Sequence, residues 1–188
     1  MNRKRIAITI AAVILIGWFA TPAEARIVTV FGDSLSDWRY SYAEQLRSPN
    51  LEIRKITWPG LKQGDFQVPA YFSCNKKQGK EVILQLGTND AVFGRPLRYR
   101  RSLIDSLNML KARNCTVYLA MAVQWTDVEP RAQHLRDIRI IQRHTAKQYS
   151  NVILVDMHYD RNQLIDQLHP NEYQHSLIAS QFREILGE

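Results

Sequence analysis

Hydrophobic residues along this chain fall into short apolar runs that alternate with longer stretches of mixed apolar and polar positions. The short runs are rich in β-branched residues and end at turn-forming residues, which is typical of buried strands. They predict five strands, at 28–31, 51–58, 81–86, 115–123 and 152–156. The mixed stretches place apolar side chains on one face at helical spacing. They predict helices at 96–114, 130–149 and 171–186, whereas Pro69 leaves 63–78 as a weak helix or irregular structure.

This order of elements determines the expected fold class. Strands that alternate with helices along a chain form a parallel sheet covered on both faces. Five such strands predict an α/β protein, a three-layer α/β/α sandwich of flavodoxin-like type, with residues 26–188 as a single domain. In such folds, polar residues after the carboxyl ends of the strands converge on one rim, where functional sites lie.

The first 25 residues have the three-part pattern of a secretory signal peptide. A basic start is followed by an apolar run at 6–20 and by a small-x-small sequence at 23–25. The run is short for a bilayer span, which needs about 20 residues, so we expect cleavage after Ala25 and no stable membrane anchor afterwards. An uncleaved anchor helix is the alternative. Export would place the protein in the periplasm or outside the cell.

The charge of the chain is moderately basic, which bears on its partners. The 188 residues carry a formal charge of +7. Residues 1–25 contribute three basic side chains and one acidic one, which leaves +5 on the remainder. Such a charge favours attraction to anionic polymers or membrane surfaces; the alternative is that it serves only to keep the protein soluble. We see no nucleic-acid motif and expect no nucleic-acid partner, and nothing in the sequence specifies an oligomeric state.

The first strand ends abruptly in Gly-Asp-Ser at 32–34 and is expected to turn tightly into a helix at about 38–42. Backbone N–H groups at the start of a helix are free to donate. A serine at this turn is suited to act as a nucleophile, because the oxyanion that it generates meets donors already in place. The alternative is that Ser34 merely caps the helix.

Polar groups after other strands are expected on the same rim. Asn89 follows the strand at 81–86, and its side-chain amide can donate to an oxyanion, unless it only makes a turn. Gly60 offers an unobstructed N–H after the second strand, or is an ordinary turn glycine. Asp166 precedes His169 by three positions, so one turn of chain can bring the carboxylate to the imidazole. A histidine oriented in this way can act as a general base, whereas an exposed loop histidine is the alternative.

Together these stretches resemble the SGNH, or GDSL, hydrolases. Gly-Asp-Ser-Leu at 32–35, Gly-Thr-Asn-Asp at 87–90 and Asp-Gln-Leu-His at 166–169 match the first, third and fifth blocks of that family in order and spacing. Gly60 takes the place of the second block. That family has an asparagine shortly before this glycine, whereas this chain has Thr-Trp-Pro at 57–59, and Gly64 is the rival for the same role.

The resemblance implies a serine esterase with a Ser-His-Asp triad. Ser34 would be the nucleophile and His169 the base, with Asp166 orienting the imidazole. The Ser34 N–H, the Gly60 N–H and the Asn89 side chain would form the oxyanion hole, with no metal and no organic cofactor. The expected substrates are O-acetyl groups on an envelope or extracellular glycan, which suits export and a basic charge. A lysophospholipase or acyl-thioesterase acting on long acyl chains is the alternative, and a non-catalytic glycan-binding module is the third possibility.

Cys74 and Cys115 are the two cysteines of the chain. An oxidising compartment allows them to pair. Cys74 precedes the third predicted strand and Cys115 opens the fourth, so if these strands are parallel neighbours both cysteines are expected near the amino-end face of the sheet, away from the site. We therefore predict a structural disulfide, and no metal site, because two cysteines without clustered histidines bind zinc poorly.

Four arginines lie within 95–101, directly after the Gly-Thr-Asn-Asp stretch. Guanidinium groups pair well with carboxylates and phosphates. We predict that Arg95 and Arg98 lie beside the cleft and help to hold an anionic substrate. A solvated start of a helix is the alternative.

Overall fold

The computed structural model describes residues 25–188 except 70, 73, 76, 78, 124–129 and 167. The predicted signal peptide, apart from Ala25, therefore lies outside the described residues. So do Gln124 and Trp125, which follow the predicted fourth strand directly.

A single sheet of five strands organises the described part of the chain. Its strands are β1 (Arg26–Gly32), β2 (Leu51–Thr57), β3 (Glu81–Gln85), β4 (Thr116–Ala120) and β5 (Val152–Val155). All neighbouring pairs are parallel, and the order is β2-β1-β3-β4-β5. This is the flavodoxin-like order, in which the chain reverses direction across the sheet between β1 and β3. The predicted α/β fold with a five-stranded parallel sheet is confirmed.

Helices cover both faces of the sheet. They are α1 (Ser34–Asp37), α2 (Tyr42–Gln45), α3 (Thr88–Val92), α4 (Pro96–Ala112), α5 (Arg131–Ala146) and α6 (Glu172–Leu186). Short 3-10 turns lie at Gln63–Asp65 and Arg161–Gln163. Among the helices of the described ranges, none is both long and apolar enough to cross a membrane.

Two hydrophobic cores flank the sheet because successive side chains of a strand point to opposite faces. Phe31 of β1 and Leu84 of β3 pack with Leu103 and Leu107 of α4 on one face. The neighbouring residues Val30 and Ile83 pack on the other face with α2 and α6. Three layers result, and the carboxyl ends of β1 and β3 are left at a rim between them.

Apart from α5, which ends at Ala146 rather than at residue 149, the helices differ by more than one residue from the predicted ones in three places. The chain after β1 forms α1 and α2, separated by a turn, rather than a single helix at 38–42. The Gly-Thr-Asn-Asp stretch, expected as a loop, starts α3. The helix predicted to reach Asn114 ends at Ala112, and Asn114 takes a positive φ of 56°, which a helix cannot continue through.

A disulfide joins Cys74 and Cys115, whose Cα atoms lie 5.3 Å apart. Cys115 directly precedes β4, so the bridge lies at the amino end of the sheet, opposite the rim that carries Ser34. Both the pairing and its distance from the site agree with the prediction from the sequence.

Candidate active site

The turn after β1 places Ser34 so that its hydroxyl does not cap a helix. Asp33, rather than Ser34, caps α1, because its Oδ1 accepts a hydrogen bond from the Leu35 N–H at 3.0 Å. Gly32 allows this turn, since a Cβ there would lie 2.5 Å from Ser36 Oγ. The Ser36 hydroxyl in turn donates to Gln85 Oε1 at 2.7 Å, which ties α1 to the end of β3. The cap and these packing contacts leave the Ser34 side chain available at the rim.

Ser34, His169 and Asp166 form one hydrogen-bonded series. Ser34 Oγ lies 2.8 Å from His169 Nε2, although 135 residues separate them in the chain. His169 Nδ1 lies 2.7 Å from Asp166 Oδ2. With the ring proton on Nδ1 donated to the carboxylate, Nε2 accepts the serine hydroxyl. This is the geometry in which a histidine can remove the proton of a serine.

The loop that carries Asp166 and His169 is held by its own backbone. The Ile165 N–H donates to the His169 carbonyl at 2.8 Å, which closes the loop next to the bridge between Leu164 and Pro170. Asp166 Oδ1 accepts the His169 N–H at 2.8 Å and the Leu168 N–H at 3.2 Å. Partial burial opposes ionisation, but these donors and the imidazole hold the pKa of Asp166 below its ordinary value. The carboxylate is therefore kept charged beside the ring.

Asn89 lies within the same site, next to the buried Asp33. Its side-chain Nδ2 donates to Asp33 Oδ2 at 3.2 Å and to the Leu61 carbonyl at 3.1 Å. Burial raises the pKa of Asp33 to about 6, against the effect of the Leu35 N–H and of His169. Both amide hydrogens of Asn89 are thus occupied, so donation to a substrate requires that one of these two bonds is exchanged.

The two rival glycines differ in what their N–H groups do. Gly64 donates its N–H to Asp90 Oδ1 at 2.9 Å. Gly60 has a positive φ of 76°, and its N–H has no hydrogen-bond partner among the described residues. The turn that contains Gly60 reaches the site at both ends, since the Trp58 N–H donates to the Gly32 carbonyl and Leu61 contacts Asn89.

The two predicted substrate-binding arginines have different surroundings. Arg98 is already paired, with Nη2 2.5 Å from Asp65 Oδ1 and Nε donating to the Gly64 carbonyl at 3.1 Å. The exposed Arg95 side chain has no ion-pair partner in the described part of the chain. A groove of about 790 Å³ lies beside Arg98, between the segment 64–67 and α4. Its lining combines the polar residues Arg98, Arg101, Ser102, Asp105 and Ser106 with the apolar residues Phe66, Leu97 and Met109.

Sequence reasoning missed two aromatic residues of the site. The Trp38 ring stacks on the His169 ring, with centroids 4.6 Å apart and planes at 23°. His175 is buried behind them, where burial lowers its pKa to about 4, helped by His169. Trp38 lies four positions after Ser34, which is helical spacing, but that spacing does not reveal which partner the ring meets. Among the described residues, no cluster of three or more His, Cys, Asp or Glu side chains could hold a metal ion.

Solved structures with a similar fold include esterases and lipolytic proteins. A member of the lipolytic protein G-D-S-L family from Veillonella parvula has a TM-score of 0.71 at 18% identity, over 87% of this chain and 100% of that one. TesA has a TM-score of 0.70 at 17% identity, over 86% and 98%. A catalytic mutant of Axe2, an acetylxylan esterase from Geobacillus stearothermophilus, has a TM-score of 0.70 at 14% identity, over 86% and 94%. No family model and no curated protein matches the sequence. The expected likeness to GDSL hydrolases is therefore confirmed for the fold.

Proposed function

We propose that this protein is an exported serine esterase that removes O-acetyl groups from a glycan of the cell envelope or its surroundings. The observation that carries the proposal is the hydrogen-bonded series of Ser34, His169 and Asp166 at the carboxyl rim of the sheet. A binding module has no need for a serine, an imidazole and a carboxylate in line. The structures with this fold include esterases, which agrees with such chemistry.

The proposed reaction proceeds through an acyl-enzyme. His169 Nε2 takes the proton of Ser34, whose Oγ attacks the ester carbonyl carbon and forms a tetrahedral oxyanion. The same imidazole then gives that proton to the leaving alcohol oxygen as the ester C–O bond breaks. A water molecule, deprotonated by His169, attacks the acetyl carbonyl and releases acetate and free Ser34. Asp166 keeps the imidazole in the tautomer that this exchange requires and stabilises the imidazolium.

The proposed oxyanion hole comprises the Ser34 N–H, the Gly60 N–H and the Asn89 amide. The first two groups have no hydrogen-bond partner among the described residues, so both are available to donate. Asn89 would exchange its contact with Leu61 or Asp33 for the oxyanion as negative charge develops. Gly64 is the weaker candidate, because its N–H already serves Asp90.

The groove beside α4 supports a polar substrate chain. Gly64, whose N–H donates to Asp90 next to Asn89, lies at its edge, and hydroxyl, carboxylate and guanidinium groups share its lining with Phe66, Leu97 and Met109. The polar groups can pair with sugar hydroxyls, whereas an acyl chain gains most from continuous apolar walls. We therefore assign the groove to the sugar part of the substrate and leave the small acetyl group at Ser34.

A lysophospholipase or acyl-thioesterase is the second candidate. Three large apolar side chains are exposed after the carboxyl ends of β2 and β3, namely Trp58, Phe93 and Leu97. Their exposed surface could receive a long acyl chain. The disulfide supports export in either case, because such bonds persist in oxidising compartments.

A panel of esters tests the proposal. Purified protein would be assayed with p-nitrophenyl acetate, with p-nitrophenyl palmitate and with acetylated xylan, the last by acetate release. Ser34→Ala serves as the catalytic control, and Ser180→Ala on the exposed side of α6 as the matched control. We expect turnover of acetate esters, release of acetate from the polysaccharide, and loss of both in Ser34→Ala alone.

Other outcomes would contradict the proposal. Turnover of the palmitate ester without acetate release would favour the lipid-directed candidate. No turnover of any ester, or equal turnover by Ser34→Ala, would exclude an esterase that uses this serine.

A further inference from the structure

We propose that Trp38 is a positioning residue for His169, acting as a flat support for its ring during proton transfer. The proposal rests on the proposed esterase function and adds a residue to its machinery. The indole and imidazole planes are inclined by only 23°, with centroids 4.6 Å apart, so the contact is a stack.

The two hydrogen bonds of the imidazole resist tilting of the ring plane less than they resist motion within that plane. Ser34 contacts Nε2 and Asp166 contacts Nδ1, the two nitrogens of the ring. Both bonds lie roughly in the plane of the ring, so a small tilt of that plane, by coupled rotation about χ1 and χ2, bends them only slightly. A contact with the face of the ring does resist it. Trp38 supplies that contact, and it permits the ring to slide in its own plane from Ser34 Oγ towards the leaving oxygen.

This support matters because the loop of His169 lies at the surface. The Asp166 side chain is 53% exposed, whereas that of His169 is only 17% exposed. A carboxylate that exposed holds its partner less firmly than a buried one would, because water competes for its oxygens. The buried part of the imidazole is therefore restrained by the side chains that pack against it, and Trp38 is one of them.

Trp38 is itself held from two sides. The preceding residue, Asp37, accepts hydrogen bonds from Lys55 and Thr57 of β2, at 2.8 and 2.5 Å. The Tyr40 ring packs edge-on against the indole at 5.4 Å and in turn contacts His175. Ser34 and Trp38 thus belong to one short segment, residues 34–38, that is held in place by these contacts. That segment positions both the Ser34 hydroxyl and the plane of the His169 ring.

Substitution of Trp38 tests this role in the intact protein. The variants are Trp38→Leu, which removes the aromatic face, and Trp38→Phe, which keeps one, with Tyr71→Leu as a matched control because Tyr71 is 72% exposed. With p-nitrophenyl acetate, Trp38→Leu is expected to lower kcat about tenfold while KM changes less than twofold. Trp38→Phe should recover most of that loss, and Tyr71→Leu should equal the wild type.

A spectroscopic measurement reports the stack independently of activity. Proton NMR resonances of the His169 ring, assigned by their loss in His169→Gln, should be shifted upfield by the indole ring current. The shift should disappear in Trp38→Leu and remain in part in Trp38→Phe. If Trp38→Leu fails to fold, Tyr40→Leu removes the edge-on contact with the indole instead, and we expect a smaller loss of kcat at unchanged KM.

Several results would overturn the proposal. A raised KM at unchanged kcat would make Trp38 a wall of the substrate cleft. Equal losses in Trp38→Leu and Trp38→Phe would show that an aromatic face is not what the site requires. If the wild type turns over ester, Ser34→Ala does not and Trp38→Leu is unaffected, the role of Trp38 is wrong but the esterase function stands. If the wild type turns over no ester, both proposals are wrong.

Discussion

The Gly64 N–H donates to Asp90 Oδ1 at 2.9 Å, which attaches the segment after β2 to the helix that carries Asn89. The Gln63 N–H donates to the other oxygen of the same carboxylate at 2.7 Å. Arg98 holds the same segment from its far side through the Gly64 carbonyl. The position of the turn that contains Gly60 therefore depends on Asp90 and Arg98.

This arrangement separates the roles of Arg95 and Arg98. Arg98→Gln is expected to lower kcat/KM several-fold on every ester, because it releases Gly64 and Asp65. Arg95→Gln is expected to raise KM only for an anionic polymer, with an effect that shrinks at high salt. Steady-state kinetics on p-nitrophenyl acetate and on an acetylated anionic polysaccharide, at two salt concentrations, measure both. Unchanged kinetics in both variants would leave the two arginines as surface charge.

Asp166→Asn is expected to lower kcat by roughly 10²–10³-fold with little change in KM. The amide cannot accept the Nδ1 proton as the carboxylate does, so the tautomer that presents a basic Nε2 is disfavoured. The exposure of Asp166 lets water replace part of its role, which is why we expect a smaller loss than in Ser34→Ala. Asp137→Asn on the exposed face of α5 is the matched control. A loss below threefold would show that Asp166 does not orient the base.

Replacement of Cys74 and Cys115 by serine is expected to lower the free energy of unfolding by about 3–4 kcal/mol, as the entropic model of loop closure gives for a loop of 41 residues. Activity at 25 °C should be unchanged, because the bridge lies at the amino end of the sheet. Urea denaturation and p-nitrophenyl acetate kinetics measure the two effects. Mass spectrometry of the native protein before and after reduction provides the control, and two free thiols would contradict the disulfide.

Two buried groups make opposite contributions to stability in mildly acidic solution. Between pH 3.8 and about 6 the folded state keeps a proton on Asp33 that the unfolded state has lost, so stability falls as the pH rises. Between about pH 4 and 6.5 the unfolded state binds a proton on His175 that the folded state does not, so stability rises with pH. Each group contributes about 3 kcal/mol over its window, so the two largely cancel.

Single substitutions should expose each contribution. The free energy of unfolding of Asp33→Asn, minus that of the wild type, is expected to be higher at pH 7 than at pH 4. For His175→Gln the same difference is expected to be higher at pH 4 than at pH 7. Urea denaturation followed by circular dichroism at the two pH values measures both differences. If the free energy of unfolding of a variant differs from that of the wild type by the same amount at pH 4 and pH 7, the replaced group does not titrate in this window.

The sequence by itself determined the sheet and the residues that are candidates for catalysis. Apolar runs such as 28–31 and 81–86 are local signals, since a buried strand needs such side chains wherever it lies in the sheet. Because parallel strands end at one rim, Ser34 and Asn89 could be expected near each other before any contact was known. The disulfide followed from similar reasoning about the opposite end of the sheet.

Only the tertiary structure decided how these groups are used. That Asp33 caps α1 and frees Ser34, that Asp90 takes the Gly64 N–H, and that Trp38 lies against His169 are facts about neighbours in space. Such contacts join residues that are up to 135 positions apart, and they depend on the exact placement of turns that sequence patterns locate only to within a few residues. Local propensity sets which elements form, whereas packing and the satisfaction of buried polar groups set which side chains meet.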